Sequence, residues 1–222
     1  VIIDSGDATG DSVLIQAVDP ATSEDYIITG LGPATSSVTF RGIDDLQYTG
    51  TSGDDTIDAR FVATVPLHDL NTVTLAGHDG ADQFLLFTSD QLGGSDPAPT
   101  NEASGVSSIT LLGGDGHDRF GATPAGLTDT GAMDVGLVVP DTTRMIRPSA
   151  STAIIIDGGP PSVASPTGDT IGDVLNLDIS DLPDSLPVVI ASGMVNIPGA
   201  PLAFAPLTWT DIEDLNLVDD GV

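Results

Sequence analysis

The chain has 222 residues and sets 33 acidic residues against five basic ones, all arginines (Arg41, Arg60, Arg119, Arg144 and Arg147), for a formal charge of −28. So one-sided a balance argues against nucleic acid, anionic membranes and acidic polysaccharides as partners, because each needs a basic footprint. With no cysteine and no lysine, disulfide, zinc–thiolate and lysine isopeptide chemistry are excluded.

Hydrophobic residues make up 40% of the chain, enough for a packed core and too many for a disordered acidic tail. No apolar span of 18 residues occurs, so membrane insertion by a helix is not expected, and the start at Val1 reads as a segment of something longer or a processed chain. The acids are lopsided. Only Glu24, Glu102 and Glu213 are glutamates, and the remaining acids are aspartates beside Gly, Ser and Thr. That pattern points to turns and oxygen-rich cation sites rather than to a generally solvated acidic surface.

In chain order, short strand signals follow one another, bounded by Gly, Asp, Ser and Pro. They fall at Val1–Ile3, Ser12–Ile15, Tyr26–Ile28, Ser37–Phe40, Thr72–Leu75 and Ser108–Leu111. They continue at Gly136–Val139, Ala153–Ile156, Asp173–Leu177, Pro187–Ile190 and Leu207–Trp209. Apolar residues at helical spacing are scarce and 26 glycines and 16 prolines are scattered throughout, so the chain reads as all-β. The stretches 88–106 and 158–168, rich in Gly and Pro, read as lateral loops.

One turn recurs between strands. Gly50-Thr-Ser-Gly53-Asp-Asp55-Thr-Ile57 returns as Gly77-His-Asp-Gly80-Ala-Asp82-Gln-Phe84, and again as Gly113-Gly-Asp-Gly116-His-Asp118-Arg-Phe120. The shared pattern is G-x-x-G-x-D-x-apolar, entered from an apolar strand. Its glycines allow a tight turn, and the apolar residue restarts a buried strand. Recurrence of this kind predicts a parallel β-helix or β-solenoid whose turns stack about 4.8 Å apart. The alternative is an antiparallel β-sandwich, disfavoured because hairpin dipeptides of the Asn-Gly type are missing.

A longer echo pairs Val38–Tyr48 with Leu207–Leu217, about 169 residues on, and Val1-Ile-Ile-Asp4 resembles Ile154-Ile-Ile-Asp157. The expected organisation is therefore a single elongated unit over 1–222, holding one period and the start of another from a tandem array.

Stacked turns would set Asp55, Asp82 and Asp118 near one another. Like charges about 5 Å apart repel by roughly 3 kcal/mol per pair at an effective dielectric near 20, unless a cation neutralises them or their pKa values rise. Calcium takes six to eight hard oxygens, and glycine turns present carbonyls without obstruction. The expected cofactor is Ca2+, with Asp54, Asp55, Asp79, Asp82, Asp115 and Asp118 as ligands. Asp169 and Asp173 follow, with Asp4, Asp7, Asp11 and Asp157 as weaker candidates. The competing reading is that these aspartates cap turns through backbone hydrogen bonds.

Gly113-Gly-Asp-Gly116-His-Asp118-Arg-Phe120 is similar to the nonapeptide of hemolysin-type (RTX) calcium-binding repeats, G-G-x-G-x-D-x-apolar. The resemblance implies bacterial secretion, a parallel β-roll and calcium held between successive turns. It covers three turns, and their intervals of 27 and 36 residues differ from the head-to-tail spacing of that family. The rest of the chain looks like the repeats of giant bacterial surface adhesins and extracellular fibres.

No motif for a nucleophile elbow, a zinc protease or a phosphate loop occurs, and His68, His78 and His117 read as turn-filling polar residues. Phe40, Phe84, Phe87, Phe120 and Trp209 read as core stacks. The expectation is a non-enzymatic, calcium-stabilised structural module of a bacterial extracellular fibre or cell-surface adhesin. Its expected partners are calcium and further copies of itself. The rival is a β-helical polysaccharide hydrolase with calcium in its groove, since glycoside hydrolysis needs only two well-spaced carboxylates.

Overall fold

A computed structural model describes residues 1–4, 12–17, 25–31, 36–61, 70–88, 106–123, 145–160, 172–179, 188–196 and 205–218. The described residues form strands and connections and contain no helix. The strands are β1 (Ile2–Asp4), β2 (Ser12–Ala17), β3 (Asp25–Leu31), β4 (Ser36–Arg41), β5 (Asp45–Thr49), β6 (Thr56–Phe61), β7 (Thr72–Gly80) and β8 (Gln83–Thr88). They continue as β9 (Ser108–Gly116), β10 (Arg119–Phe120), β11 (Ala153–Asp157), β12 (Val174–Asp178), β13 (Val189–Ala191), β14 (Met194–Asn196), β15 (Leu207–Thr210) and β16 (Asp214–Val218).

Two sheets of eight strands result. Sheet I has the order β1-β5-β7-β9-β11-β15-β14-β13, and sheet II the order β4-β3-β2-β6-β8-β10-β12-β16. Among the described residues neither sheet closes on itself. The chain crosses from sheet I to sheet II at β1–β2, β5–β6, β7–β8, β9–β10, β11–β12 and β15–β16. Strands that follow one another in a sheet are parallel because the return journey is made through the other sheet. Ten of the fourteen strand pairings are parallel, so an antiparallel sandwich does not describe the arrangement.

The four antiparallel pairings sit at opposite ends of the two sheets. β3 and β4 extend sheet II beyond β2, and β14 and β13 extend sheet I beyond β15. The β13–β14 turn is Ser192-Gly193, both with positive φ (53° and 73°). That is the pair of left-handed residues a two-residue hairpin needs, supplied here by Ser-Gly instead of Asn-Gly. The expected strand at Gly136–Val139 and most of both expected lateral loops lie outside the described residues.

The core lies between the sheets. Alternate residues face inward, as in β8, where Phe84, Leu86 and Thr88 are buried and their neighbours half-buried. Parallel register converts that alternation into rows. In sheet I, Leu46, Val73, Ile109, Ile154 and Leu207 are direct neighbours, as are Tyr48, Leu75, Leu111 and Ile156. In sheet II the row is Val13, Ile57, Phe84, Phe120 and Leu175. Phe84 and Phe120 stack with ring centroids 5.0 Å apart and planes 10° from parallel, which adds to their burial. A slip of one residue would turn every such row to solvent, so the pattern fixes the register.

Among the described residues, the ion pair of Arg147 with Asp178 is buried. Arg147 donates from Nε at 2.8 Å and from a terminal nitrogen at 2.6 Å to Asp178 Oδ2, at the bridge between Ile146 and Leu177. Both side chains are almost fully enclosed, so removing one leaves the other's charge buried without its ion-pair partner. Arg147→Ala is expected to destabilise the fold by about 3–5 kcal/mol, measured by denaturant unfolding. A loss below about 1 kcal/mol would mean that the pair is solvated in solution.

Candidate functional site: a buried carboxylate ladder

The recurrent turns are the corners at which the chain leaves sheet I for sheet II. Four of the five corners begin on a glycine (Gly50, Gly77, Gly113 and Gly158), and all five end on the acid just before the sheet II strand. The acids at five successive corners, Asp55, Asp82, Asp118, Asp173 and Glu213, are linked in series. The N–H of Asp55 donates to Asp82 Oδ1 at 2.7 Å, and that of Asp82 to Asp118 Oδ1 at 2.9 Å. The N–H of Asp118 donates to Asp173 Oδ1 at 2.7 Å, and that of Asp173 to Glu213 Oε2 at 2.8 Å.

The carbonyls of the same residues accept from the first N–H of the next sheet II strand: Gln83 on Asp55, Arg119 on Asp82, Val174 on Asp118 and Asp214 on Asp173. Each corner is therefore held to the next by a backbone bond and by a bond to a carboxyl oxygen, which is about twice as strong as a neutral bond where the acid is ionised.

The second carboxylate oxygen explains the glycines. A methyl group added at Gly113 would lie 2.2 Å from Asp118 Oδ2 and 2.5 Å from the carbonyl oxygen of Gly158 on the neighbouring corner. No side chain fits there. One residue further on, Gly114 has φ 106° and Gly159 φ 89°, the left-handed region. His78 occupies the same register position as Gly114 with φ 92°, at a cost that a glycine avoids.

The corners differ in how they treat Oδ2. In the first, Thr51 donates its N–H to Asp55 Oδ2 at 2.6 Å, and its hydroxyl lies 3.0 Å from Oδ1. In the next three, Oδ2 of Asp82, Asp118 and Asp173 is buried without a hydrogen-bond partner. Burial accordingly pushes these carboxyls up, to about 8 for Asp82, about 6 for Asp118 and about 7 for Asp173. The N–H received by each opposes that rise, and for Asp82 the neighbouring charges of Asp118, Asp55 and Asp54 add to it.

A raised carboxyl is a usual mark of an acid catalyst. Here the cause is enclosure: Asp82 and Asp118 are 1% exposed and Asp173 is 0%, so a polymeric sugar cannot reach them in this arrangement.

The acids expected as metal ligands thus separate into two rows. Asp55, Asp82, Asp118 and Asp173 form the inner row. Asp79 and Asp115 are exposed, adjacent in register, on the outside of the same corners. Asp54 is also exposed, and its Oδ1 accepts the Ala81 N–H at 2.9 Å. Asp4 is exposed on β1, and Asp157 takes the Gly159 N–H at 3.2 Å; Asp7, Asp11 and Asp169 lie outside the described residues. Among the described residues no three acidic or histidine side chains converge into a ready cage. His78 is exposed beside Asp79, with Nδ1 3.3 Å from Oδ1.

The sequence pattern missed Glu213, which holds the fifth place although its corner lacks the glycine motif. The signal was the longer echo. In Arg41-Gly42-Ile43-Asp44-Asp45 and Thr210-Asp211-Ile212-Glu213-Asp214, the second residue is left-handed in both, with φ 61° at Gly42 and 52° at Asp211. The isoleucine is partly buried against the core in both. The first segment leads from sheet II to sheet I and the second from sheet I to sheet II, so the echo encodes a corner shape usable in either direction.

A scan against protein-family models, a search of curated proteins and a search of solved structures each return no match.

Two outcomes follow from the ladder. His78→Gly relieves the left-handed strain and is expected to stabilise by about 1 kcal/mol, a rise of about 2–4 °C in a thermal melt. The pH dependence runs opposite to that of an ordinary salt-bridged acid. Asp82, Asp118 and Asp173 hold their protons in the folded state at pH values where the unfolded chain, near 3.9, has lost them. Their contribution is fully present below about pH 4 and declines as pH rises toward about 8. Melts at pH 5 and pH 8 should show the wild type less stable at pH 8. Asp82→Asn, which keeps an oxygen for the Asp55 N–H, should narrow that gap; an unchanged gap would place the pH dependence elsewhere.

Proposed function

We propose that the chain is a structural module: a β-solenoid unit of a bacterial extracellular fibre or large cell-surface protein, stiffened at its corners by the carboxylate ladder and by calcium. The observation that carries this reading is the unbroken series of inter-corner bonds from Asp55 to Glu213. It runs alongside parallel pairing in both sheets. Such a series ties each corner to its neighbours, and its natural consequence is resistance to bending and pulling along the stack. The buried acids take part in this framework instead of lining an open cleft.

Calcium enters because the framework becomes incomplete as the acids lose their protons toward pH 8. Three buried carboxylate oxygens have no donor, and an oxygen in that position is satisfied by a proton or by a cation. Carboxylate oxygens suit a hard cation, although among the described residues no three acidic side chains converge into a cage, so binding would have to draw the outer acids inward. The groups that would hold it are the inner-row carboxylates Asp82 and Asp118 with the exposed Asp54, Asp79 and Asp115 outside them. When bound, calcium supplies positive charge to a corner that protons no longer neutralise. At millimolar external concentration that would favour the folded unit, while a cell's low calcium would leave the chain easier to export.

Thermal melts by circular dichroism, with millimolar calcium and with excess EGTA at matched ionic strength, test this reading. The expected result is a rise of about 5–10 °C at pH 8, corresponding to about 2–3 kcal/mol for a ligand near a hundredfold over its dissociation constant. It should be absent with magnesium or sodium chloride and much reduced at pH 5, where protons already occupy the ladder. Equal melts at pH 8 would remove calcium from the reading and leave a self-capped ladder.

A further inference from the structure

The two ends of the molecule are steps of equal height. Among the described residues, β1 is the last strand of sheet I at one end, while sheet II continues for two more strands, β3 and β4. At the other end β16 is the last described strand of sheet II, while sheet I continues for two more strands, β14 and β13. We propose that the unit joins a second copy of itself head to tail through a lap joint. In it β13 of one copy pairs with β1 of the next in sheet I, and β16 of the first pairs with β4 of the next in sheet II. This rests on the structural-module reading and adds to it the partner and the edges used.

Strand direction supports the joint. β14 is antiparallel to β15 and β13 antiparallel to β14, so β13 runs the same way as β15 and every other long-axis strand of sheet I. β3 and β4 restore direction in sheet II in the same manner. Copies related by translation alone would therefore meet with parallel strands in both sheets, continuing the pairing found within each. The span is also equal: β14 and β13 separate β15 from the next β1, and β4 and β3 separate β16 from the next β2. Each gap is three strand spacings, about 14 Å.

The apolar surface gives a second, independent support. Among the described residues the exposed large hydrophobic side chains are Val1, Ile2, Val38, Ile155, Val189 and Met194. All but Ile155 lie on or beside β1, β4, β13 and β14, the strands at the two steps. Ile2 is 75% exposed, and the Gln47 N–H donates to Val1 O at 2.8 Å. Alternation along β1 then turns the peptide groups of Ile2 away from β5, toward the open edge. Monomeric proteins usually blunt such an edge with lysine or proline; this one presents apolar residues.

The test uses two variants of the whole chain, each blocking one end: Ile2→Pro, which removes the outward N–H of β1, and Val189→Lys, which charges β13. Melts matching the wild type establish that both fold. In sedimentation velocity over about 1 µM to 1 mM, the wild type should lengthen into rods, visible by negative-stain electron microscopy. Each variant alone should associate at least tenfold more weakly. A one-to-one mixture of the two should form dimers and stop there, because one free end of each kind remains. A wild type that stays monomeric at about 1 mM overturns the joint, and a calcium-dependent melt in the same sample would leave the module reading standing. Ile2→Pro that still dimerises with itself overturns the head-to-tail arrangement, as does assembly indifferent to both variants.

Discussion

A peptide N–H on one corner donating to a carboxylate on the next is the interaction on which the rest of this structure depends. An enclosed carboxylate is costly unless its oxygens are satisfied, and here one oxygen of Asp82, Asp118, Asp173 and Glu213 is satisfied by the backbone of the preceding corner. Oδ2 of each inner-row aspartate folds back against the glycine that opens the corner, within 2.5 Å of where a Cβ would stand at Gly50, Gly77, Gly113 and Gly158. The glycine and the acid are thus one device. Neither can change without opening the space the other fills, and both fix where the following sheet II strand begins. Once that start is fixed, the rows of Ile57, Phe84 and Phe120 fall into line without further instruction.

The same device explains how so acidic a chain folds. Its acids are sorted by depth, the outer ones exposed and the inner ones enclosed, with the proton affinity of Asp82, Asp118 and Asp173 raised. At Asp55 a threonine hydroxyl and N–H complete the shell, and the carboxylate is fully engaged. At Asp82, Asp118 and Asp173 the Oδ2 atom meets no such donor, and the corner is left responsive to protons. Stability is tied to the medium through a few residues, while the apolar rows supply most of the driving force regardless of pH.

Much of this was legible in the chain. The short apolar runs became strands at nearly the expected places, and the glycine–aspartate turn became the corner. Phe84 and Phe120 stack as expected, whereas Phe87 faces outward, because one residue along a strand changes the face. What was not legible has physical causes. A repeated Asp in a tight turn is equally suited to a peptide N–H or to a metal ion, and only the neighbouring corner decides which it meets. Asp173 belongs to the ladder although fifteen positions separate it from Gly158, because its Oδ1 meets the Asp118 N–H and its Oδ2 lies against Gly158 as at the shorter corners. Glu213 reaches the same place with one more methylene and no glycine motif, so pattern matching passed over it. The hairpin of β13 and β14 turned on Ser192-Gly193, a dipeptide whose left-handed pair is weaker as a signal than Asn-Gly.

The antiparallel strands at the ends answer a geometric problem that the parallel stack creates. A stack of this kind exposes a full edge in each sheet at both ends, and one added strand would cover that edge with a strand of reversed direction. Two added strands cover it and restore direction. The chain makes that addition once in each sheet, at opposite ends, which leaves both ends stepped and neither flush. Adding both hairpins at one end would have produced a blunt cap and a bare opposite face. The distribution found restores strand direction in each sheet, and the exposed apolar residues Ile2, Val38 and Val189 lie on the end strands β1, β4 and β13.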